Sequence, residues 1–404
     1  MVADKKAGYD PYAKFGVRRV VNAAGTLTRV GGSLSPPEVF RAMEEASKRF
    51  IHISELQQWA GEVIAEATGA EAGLPTAGGS CSLLLAAAAC IMKGTELEEY
   101  EPVGRAVWNH IAQRLPMHTV GLRTEFIIQK SNRNEYDHAV ECAGGRFVEV
   151  GTEDGATEED LAAAYDPERT AAYFYTVQPT SKCLPVESVV KVAHSVGAHV
   201  IVDASAELPP KENLTKYTRK NVDLVAFSGG KQIAGPNNSG ILSGRRDLIK
   251  LAHLQSYPFE GVGRSAKMSR ETIVGFVTAL KMYVETDEKA EFAKLQGKAD
   301  YMAERLNQVP HVDARVVLST SGVEKTPKFP IVCVRIDEEE LGISGRDLHE
   351  GLVNGDPSIV GVFEPYYLVE DYVGILSLSP QYILEGDDLD VFRRVREIVT
   401  QASG

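Results

Sequence analysis

The feature that most constrains the fold is a regular alternation of strand and helix patterns between residues 106 and 202. Short runs rich in β-branched and aromatic residues alternate there with segments of helical periodicity. The predicted strands lie at 125–129, 146–150, 172–177 and 199–202, and the predicted helices at 136–143, 158–164 and 186–196. Strands with nearly continuous apolar runs, joined by helices, form a parallel sheet covered on both faces. We therefore predict an α/β fold whose large domain has three αβα layers and a mainly parallel sheet.

The chain has 404 residues, which is long for one hydrophobic core, so a second domain is expected. A helical stretch at 269–309, with Gly275 and Gly297 as bend or packing points, leads into a smaller α+β region. Its predicted strands lie at 315–318, 331–336, 359–362 and 374–378, before a last helix at 387–401. We predict three parts: an N-terminal arm and helix contributing to the active site and the small domain (1–58), a large ligand-binding domain (59–265) and a small C-terminal domain (266–404).

Charge, hydropathy and cysteine content exclude several classes of protein. The formal net charge of −13 disfavours sequence-independent binding to nucleic acid and binding to an anionic membrane surface. The longest apolar run, at 83–92, is too short to cross a bilayer. Five widely spaced cysteines fit neither a CxxC metal site nor a disulfide framework, which indicates reduced, core-type thiols and a cytoplasmic protein.

Two helix starts are predicted near the N terminus. The sequences Ser35-Pro-Pro-Glu38 and Ser54-Glu-Leu-Gln57 both match the capping-box pattern. The second helix should end at Gly69, and Trp59 lies on its apolar face. We predict that Trp59 belongs to the core.

A lysine and an aspartate follow two of the apolar runs. Lys231 lies in the small-residue loop SGGK directly after the run that ends at Phe227, and Asp203 directly follows the strand at 199–202. Pyridoxal phosphate (PLP) needs such a pair: an amine to form a Schiff base, and a carboxylate to keep the pyridine nitrogen protonated. Taken singly, Lys231 would be a solvated loop lysine and Asp203 a helix cap. Together they favour a PLP site.

A glycine-rich turn precedes the most apolar helix pattern of the chain. The segment LPTAGGS leads into a helix that is apolar all round, whose first N–H groups lack intrahelical acceptors. Gly79, Ser80 and Cys81 would therefore donate to an anion such as a phosphate. Many glycine-serine turns merely begin helices, so this motif depends on Lys231 for its interpretation.

Four segments together carry a resemblance to a known family. They are DASAELPP at 203–210, SGGK at 228–231 followed by GPNNSGIL, AGGRFVEVG at 143–151, and VNAAGTLTRVGGS at 21–33. In this order and spacing they resemble the PLP-dependent family that contains bacterial selenocysteine synthase and D-glucosaminate-6-phosphate ammonia-lyase. The resemblance runs from about Phe15 to about Gly275 and fades in the small domain.

The resemblance implies the aspartate aminotransferase-like fold, called fold type I, in a homodimer or a multiple of dimers. It implies that Lys231 forms the Schiff base and shuttles the α-proton, and that Asp203 pairs with the pyridine nitrogen. The implied phosphate ligands are Gly79, Ser80, Cys81 and Ser228. The loop 235–239 is expected at the subunit interface, where it would reach the neighbour's phosphate site.

For each remaining candidate residue, a structural role explains the sequence as well as a role in the site does. Gln178 would contact the ring hydroxyl or be an ordinary loop residue. His138 or Tyr136 would stack on the ring or pack on a helix face. The candidates for substrate binding are Thr28, Arg29, Arg133, Arg264 and Lys267, since arginine suits carboxylate and phosphate, although each charge taken singly fits a surface position.

These residues predict an enzyme acting at the α-carbon of a small amino acid. The first hypothesis, which the resemblance to the ammonia-lyase implies, is a lyase that performs α,β-elimination on a hydroxylated or phosphorylated amino acid. Racemisation and transamination are the alternatives, because both begin with the same proton abstraction. Selenium transfer to a charged transfer RNA is disfavoured by the net charge, and a non-catalytic PLP-binding protein by the presence of both Lys231 and Asp203.

Overall fold

The computed structural model describes residues 10–103, 110–178, 182–322, 324–365, 368 and 372–403. Contacts divide the chain into a larger unit, Leu34–Thr286 with Gly322–Glu324, and a smaller unit, Met1–Ser33 with Asp287–Ser321 and Lys325–Gly404. No helix of the described ranges has both the length and the apolar character needed to span a bilayer.

The described strands are β1 (Val20–Asn22), β2 (Ala72–Thr76), β3 (Glu125–Gln129), β4 (Arg146–Val150), β5 (Thr170–Thr176), β6 (His199–Asp203), β7 (Leu224–Ser228), β8 (Gly240–Gly244), β9 (Val312–Ser321), β10 (Thr326–Ile336), β11 (Ser358–Val360), β12 (Val362–Phe363) and β13 (Leu376–Leu378). The described α-helices are α1 (Pro37–Ser47), α2 (Ile53–Thr68), α3 (Gly79–Met92), α4 (His138–Cys142), α5 (Glu158–Ala163), α6 (Val186–Ser195), α7 (Asn213–Arg219), α8 (Arg246–Gln255), α9 (Arg270–Glu285), α10 (Glu288–Leu306), α11 (Glu338–Leu341), α12 (Gly345–Val353) and α13 (Asp387–Ala402).

The larger unit is built on a seven-stranded sheet with the order β2-β8-β7-β6-β5-β3-β4. Strands β3 to β7 pair in parallel, and β8 pairs antiparallel with both β7 and β2. Alternate residues enter two separate apolar clusters: Tyr173 and Tyr175 join one, and Phe174 joins the other. Helices cover both faces, so the predicted αβα layers and mainly parallel sheet are confirmed.

The smaller unit combines a two-stranded and a four-stranded sheet. Strands β1 and β11 are parallel, and β12, β13, β10 and β9 follow one another in an antiparallel sheet. Helices α10, α12 and α13 bury their apolar residues in a core shared with these strands, including Met302, Leu348 and Val395. An α+β pattern was expected for this part of the chain.

The contacts place the unit boundaries at residues 33/34 and 286/287, whereas the sequence suggested 58/59 and 265/266. Helix α9 explains the second difference, because it packs against α1 within the larger unit. A Cβ on Gly275 would lie 2.6 Å from Met43 Cγ, so glycine permits this close helix contact. The predicted helical stretch is two helices, separated at Thr286 and Asp287. Gly297 has open space around it, so the prediction that it is a packing point is wrong.

Three local predictions are also wrong. Neither capping box forms: the N-caps are Pro36 and His52, and neither side chain caps its helix. Trp59 is 40% exposed, with the Lys281 ammonium 5.6 Å from its ring centroid, so it lies at the surface. Cys142 is exposed, in contrast to the buried Cys90, Cys183 and Cys333.

Helix α2 depends on Gly61, and this gives a stability prediction. A Cβ there would lie 2.2 Å from the carbonyl oxygen of Gly73 at β2. Because a backbone atom cannot move away as a side chain does, Gly61→Ala should destabilise the protein by at least about 1–3 kcal/mol. Chemical denaturation followed by circular dichroism measures this change. Gly297→Ala on α10 is the matched control and should be neutral or stabilising by up to about 1 kcal/mol. Equal effects of the two substitutions would contradict the contact.

Candidate active site

The carboxyl edge of the large sheet brings Asp203 and Lys231 together. Asp203 is the last residue of β6, is 7% exposed, and pairs with Thr176 on one side and Ala226 on the other. Strand β7 ends at Ser228, two residues after Ala226, and Lys231 lies in the turn that follows. Ligands of open α/β sheets gather at this edge, so the position suits a binding site.

The amine of Lys231 is partly buried and feels the charges of two acidic residues. Burial lowers the pKa of Lys231, while the negative charges of Asp203 and Glu207 oppose that change. A lowered lysine pKa increases the fraction of neutral amine, which is the form that attacks a carbonyl carbon. Glu207 is itself buried, and its Oε2 accepts a 3.4 Å hydrogen bond from the Tyr217 hydroxyl.

A cradle for a small anion lies at the start of α3. A Cβ on Gly79 would lie 2.5 Å from Ser205 Oγ and 3.9 Å from Ser228 Cβ, so three separate segments meet at this glycine. Among the described residues, Ser205 Oγ is buried without a hydrogen-bond partner. The first turn of a 14-residue helix also presents N–H groups that have no intrahelical acceptor. These donors fit the phosphate of PLP.

The donor residues of α3 differ in exposure. Ser80 is exposed and Cys81 is half-buried. Burial raises the pKa of the Cys81 thiol, so Cys81 holds its proton and would meet an anion as a neutral group.

The glycines before Lys231 are required by close packing of the loop. A Cβ on Gly230 would lie 2.6 Å from the carbonyl oxygen of Asn237, and one on Gly229 would lie 2.5 Å from Ser239 Oγ. The Gly229 N–H also donates to the Ser239 carbonyl at 2.8 Å. The loop 235–239 therefore supports the lysine turn within its own chain.

The turn after β3 docks onto the end of β5 next to Asp203. Asn132 is fully buried: its Nδ2 donates to the Thr176 carbonyl at 2.7 Å, and its Oδ1 accepts from the Thr176 N–H at 2.8 Å. Asn134 Nδ2 donates to Thr176 Oγ1 at 2.9 Å. Gln178 follows β5 at the same edge, and its Nε2 donates to the Asn132 carbonyl at 3.4 Å.

The two candidate stacking residues lie on the outer side of this turn. Tyr136 is 61% exposed. The side chain of His138 is 76% exposed, and its ring lies 3.3 Å from Cys142 Sγ and 3.5 Å from a Glu141 carboxylate oxygen. The residue between them, Asp137, is 1% exposed.

Of the candidate anion-binding residues, Arg133 is already paired. Its guanidinium contacts Asp137 Oδ2 at 2.6 Å and Glu149 Oε1 at 2.5 Å, and lies 4.6 Å from the centroid of Phe147. Its charge is therefore already balanced by two carboxylates of the chain.

The other candidates form two groups. Arg264 and Lys267 both lie over the ring of Tyr257, at 5.1 and 5.9 Å from its centroid, and a Glu260 carboxylate oxygen lies 3.8 Å from Arg264 Nε. Thr28 and Arg29 belong to the smaller unit, in a short 3-10 helix, and are exposed.

Three residues with buried polar groups at this edge were not among the predicted site residues: Ser205, Glu207 and Asp137. Ser205 and Glu207 lie two and four residues after Asp203, within the quoted segment DASAELPP. Their closeness to a strand-end aspartate was the available signal. Asp137 carries no such signal, because its position depends on contacts with Thr176 made by other residues of its turn.

A lysine and an aspartate at the carboxyl edge of an αβα sheet, beside a helix start that can hold a phosphate, define the class of fold type I PLP-dependent enzymes. The family model described as Aminotransferase class-V matches residues 39–331. The chain therefore belongs to the class-V aminotransferase family, and the predicted PLP cofactor and enzymatic nature are confirmed.

Full-length relatives support this assignment. The chain is 30% identical to 5′-C-glycyluridine monooxygenase-decarboxylase of Streptomyces sp, across 100% of this chain and 96% of that protein. It is 28% identical to D-glucosaminate-6-phosphate ammonia lyase of Salmonella typhimurium, across 97% and 98% of the two chains. A solved structure of D-glucosaminate-6-phosphate ammonia-lyase superimposes with a TM-score of 0.80 at 28% identity, covering 98% of this chain and all of the other. The resemblance proposed from the sequence motifs is confirmed.

Proposed function

We propose that this protein is a PLP-dependent lyase that acts by α,β-elimination on a small hydroxylated or phosphorylated amino acid. The observation that carries the proposal is the Lys231 amine, partly buried beside Asp203 and Glu207 with a lowered pKa. Such an amine can take a proton from the α-carbon and return it to a leaving group. The similarity in sequence and structure to an ammonia lyase supports elimination over other outcomes.

Each residue of the site would have a separate role in the reaction. Bound PLP supplies an electron-withdrawing ring that acidifies the α-proton of the attached amino acid. Lys231 Nζ would hold the cofactor, then move the α-proton to the departing hydroxyl or phosphate oxygen. Asp203 would hold a proton on the pyridine nitrogen. The N terminus of α3, with Ser205 and Ser228, would bind the cofactor phosphate. Loss of the leaving group and hydrolysis then give a 2-oxo acid and ammonia.

The cationic surface at Tyr257 is our candidate for substrate recognition. Arg264 and Lys267 share this ring, and a planar guanidinium with a neighbouring ammonium suits a carboxylate or a phosphate. Arg133 is a weaker candidate because two carboxylates already bind it. Thr28 and Arg29 stay candidates as exposed residues of the smaller unit.

A second candidate function is oxidative decarboxylation at the same carbon. It is favoured by the 30% identity, over the whole chain, to a monooxygenase-decarboxylase. Racemisation and transamination need the same Lys231 proton transfer and differ only in where the proton returns.

One experiment separates these reactions. The purified protein with PLP is incubated with a panel of D- and L-amino acids, including hydroxylated and phosphorylated members, in deuterated water. A lyase releases ammonia and a 2-oxo acid without an amino acceptor or oxygen. Product that requires an amino acceptor would indicate transamination, and carbon dioxide release that requires oxygen would indicate oxidative decarboxylation. α-Deuterium incorporation with inversion and no ammonia would indicate a racemase.

We further infer a homodimer or a multiple of dimers located in the cytoplasm. The assembly is inferred from the resemblance to fold type I enzymes, and the location from the wide, unpaired spacing of the cysteines. Light scattering of the purified protein measures its mass, and a monomeric mass would contradict the dimer.

A further inference from the structure

Asp137 is the buried member of an otherwise exposed turn. Its neighbours Tyr136 and His138 both project outward, whereas Asp137 is 1% exposed. An ionisable residue is rarely buried to this extent without a partner for each polar atom.

One carboxyl oxygen of Asp137 is fixed and the other is not. Oδ2 accepts hydrogen bonds from Arg133 Nε at 2.6 Å and from the Asn134 N–H at 3.0 Å. Oδ1 is buried and has no hydrogen-bond partner within the part of the chain that the structure describes. Leaving such an oxygen unsatisfied costs about 1–3 kcal/mol, so a group from outside the chain is expected to bind it.

The fixed half of the residue is itself well supported. Arg133 is held on its far side by Glu149 at 2.5 Å and by the ring of Phe147. Asp137 is therefore oriented before any ligand arrives, which is what a binding group requires.

The turn that carries Asp137 is attached to the active-site edge. Asn132 and Asn134 both bind Thr176, and Thr176 is the strand partner of Asp203. The electrostatics agree with this placement: burial raises the pKa of Asp137 against the opposing effects of the Asn134 N–H and Arg133, and the negative charge of Asp203 also raises it. Asp137 and Asp203 thus belong to one site.

We propose that Asp137 is a cofactor-binding residue of the Lys231 site, with its Oδ1 hydrogen-bonded to the ring of bound PLP. Arg133 and the Asn134 N–H occupy Oδ2 alone, which leaves Oδ1 to hydrogen-bond a ligand beside Asp203. The phenolic hydroxyl of the PLP ring is the polar group that would supply this hydrogen bond. Gln178, the earlier candidate for this contact, already donates to the Asn132 carbonyl. The inference rests on the cofactor assignment and is independent of the reaction catalysed.

Titration of PLP into the cofactor-free protein tests this role, with dissociation constant and visible absorption maximum as readouts. Asp137→Ala should weaken PLP binding about tenfold, because it removes a hydrogen bond of about 1.4 kcal/mol. Asp137→Asn keeps the shape but replaces the carboxyl with a neutral amide, so it should shift the absorption maximum. Glu149→Gln is the matched control: it alters the outer side of Arg133, leaves Asp137 in place, and should match the wild type in both readouts.

Three results would overturn the role of Asp137. The first is an unchanged dissociation constant and absorption maximum in whichever Asp137 variant folds. The second is an equal change in Glu149→Gln, which would assign the effect to Arg133. The third is a wild-type protein that forms no visible band with PLP, which would overturn the cofactor assignment itself. The first two leave the proposed lyase function intact, so the two failures are distinguishable.

Discussion

Lys231→Ala should abolish the visible absorbance of the PLP-loaded protein and reduce turnover by at least about 10²–10⁴-fold, the usual contribution of a positioned acid-base group. Lys231 combines two roles that no neighbouring group shares in the proposed mechanism: covalent attachment of the cofactor and proton transfer at the α-carbon. Its partial burial and lowered pKa favour the neutral amine that both roles need. The measurement is the absorbance near roughly 420 nm before and after borohydride, followed by ammonia release.

Two further variants make this result specific to the amine of Lys231. Lys231→Arg keeps the positive charge but cannot deprotonate, so it should behave like the alanine variant. Lys220→Ala removes a lysine of the same unit that pairs with Glu187 and Glu324, and it should retain the band. A borohydride-sensitive band that survives in Lys231→Ala would contradict the assignment of Lys231.

Several strands of the sheet were predictable from their composition. Strands β3 and β4 have the predicted bounds, and β6 differs by one residue, because short runs rich in apolar and β-branched residues favour a strand, even in β4 at the partly exposed sheet edge. Strands β2 and β8 have no counterpart among the predicted strands. Their sequences, AGLPT and GILSG, contain glycine and proline, and they become strands through pairing with each other and with β7.

The residues at which helices begin were harder to predict than the presence of the helices. The motif at Ser54 has the residues of a capping box, yet the helix begins at Ile53, so the serine lies inside it and cannot cap it. Trp59 has helical spacing with apolar neighbours, but its ring lies at the surface beside Lys281. Periodicity identifies the buried side of a helix and not how far the burial extends around it.

Site residues were predictable where they come soon after a strand in the sequence. Asp203 and Lys231 could be predicted in this way, because each follows a local apolar run whose end lies at the carboxyl edge of the sheet. The phosphate cradle was predictable in part. The glycine turn at Gly79 is visible in the sequence, but its contact with Ser205 depends on how the sheet folds. Asp137 could not be found, since the turn that carries it is attached through Thr176, about 40 residues further along the chain.

Asp203→Asn should retain PLP and lose most of the catalytic rate. A neutral amide cannot hold a proton on the pyridine nitrogen, so the ring withdraws electrons less strongly from the α-carbon. Removing one partner of a buried charge pair costs about 3–5 kcal/mol, which corresponds to a rate loss of about 10²–10⁴-fold if the whole cost falls on the transition state. The measurement is kcat for the substrate found in the deuterium screen, with cofactor content measured in parallel.

Asp223→Asn is the matched control, because it changes a second buried aspartate at the opposite end of the same sheet. Asp223 precedes β7, and its carboxylate is bound by His194 at 2.9 Å and by the Val200 N–H at 2.9 Å. These partners, with His199, lower the pKa of Asp223 against the effect of burial, so its charge stabilises the fold above its ordinary pKa. Asp223→Asn should therefore lower the free energy of unfolding while leaving kcat near the wild-type value. If both variants lost stability and neither lost kcat, Asp203 would be a structural residue, and the electron sink would need another partner.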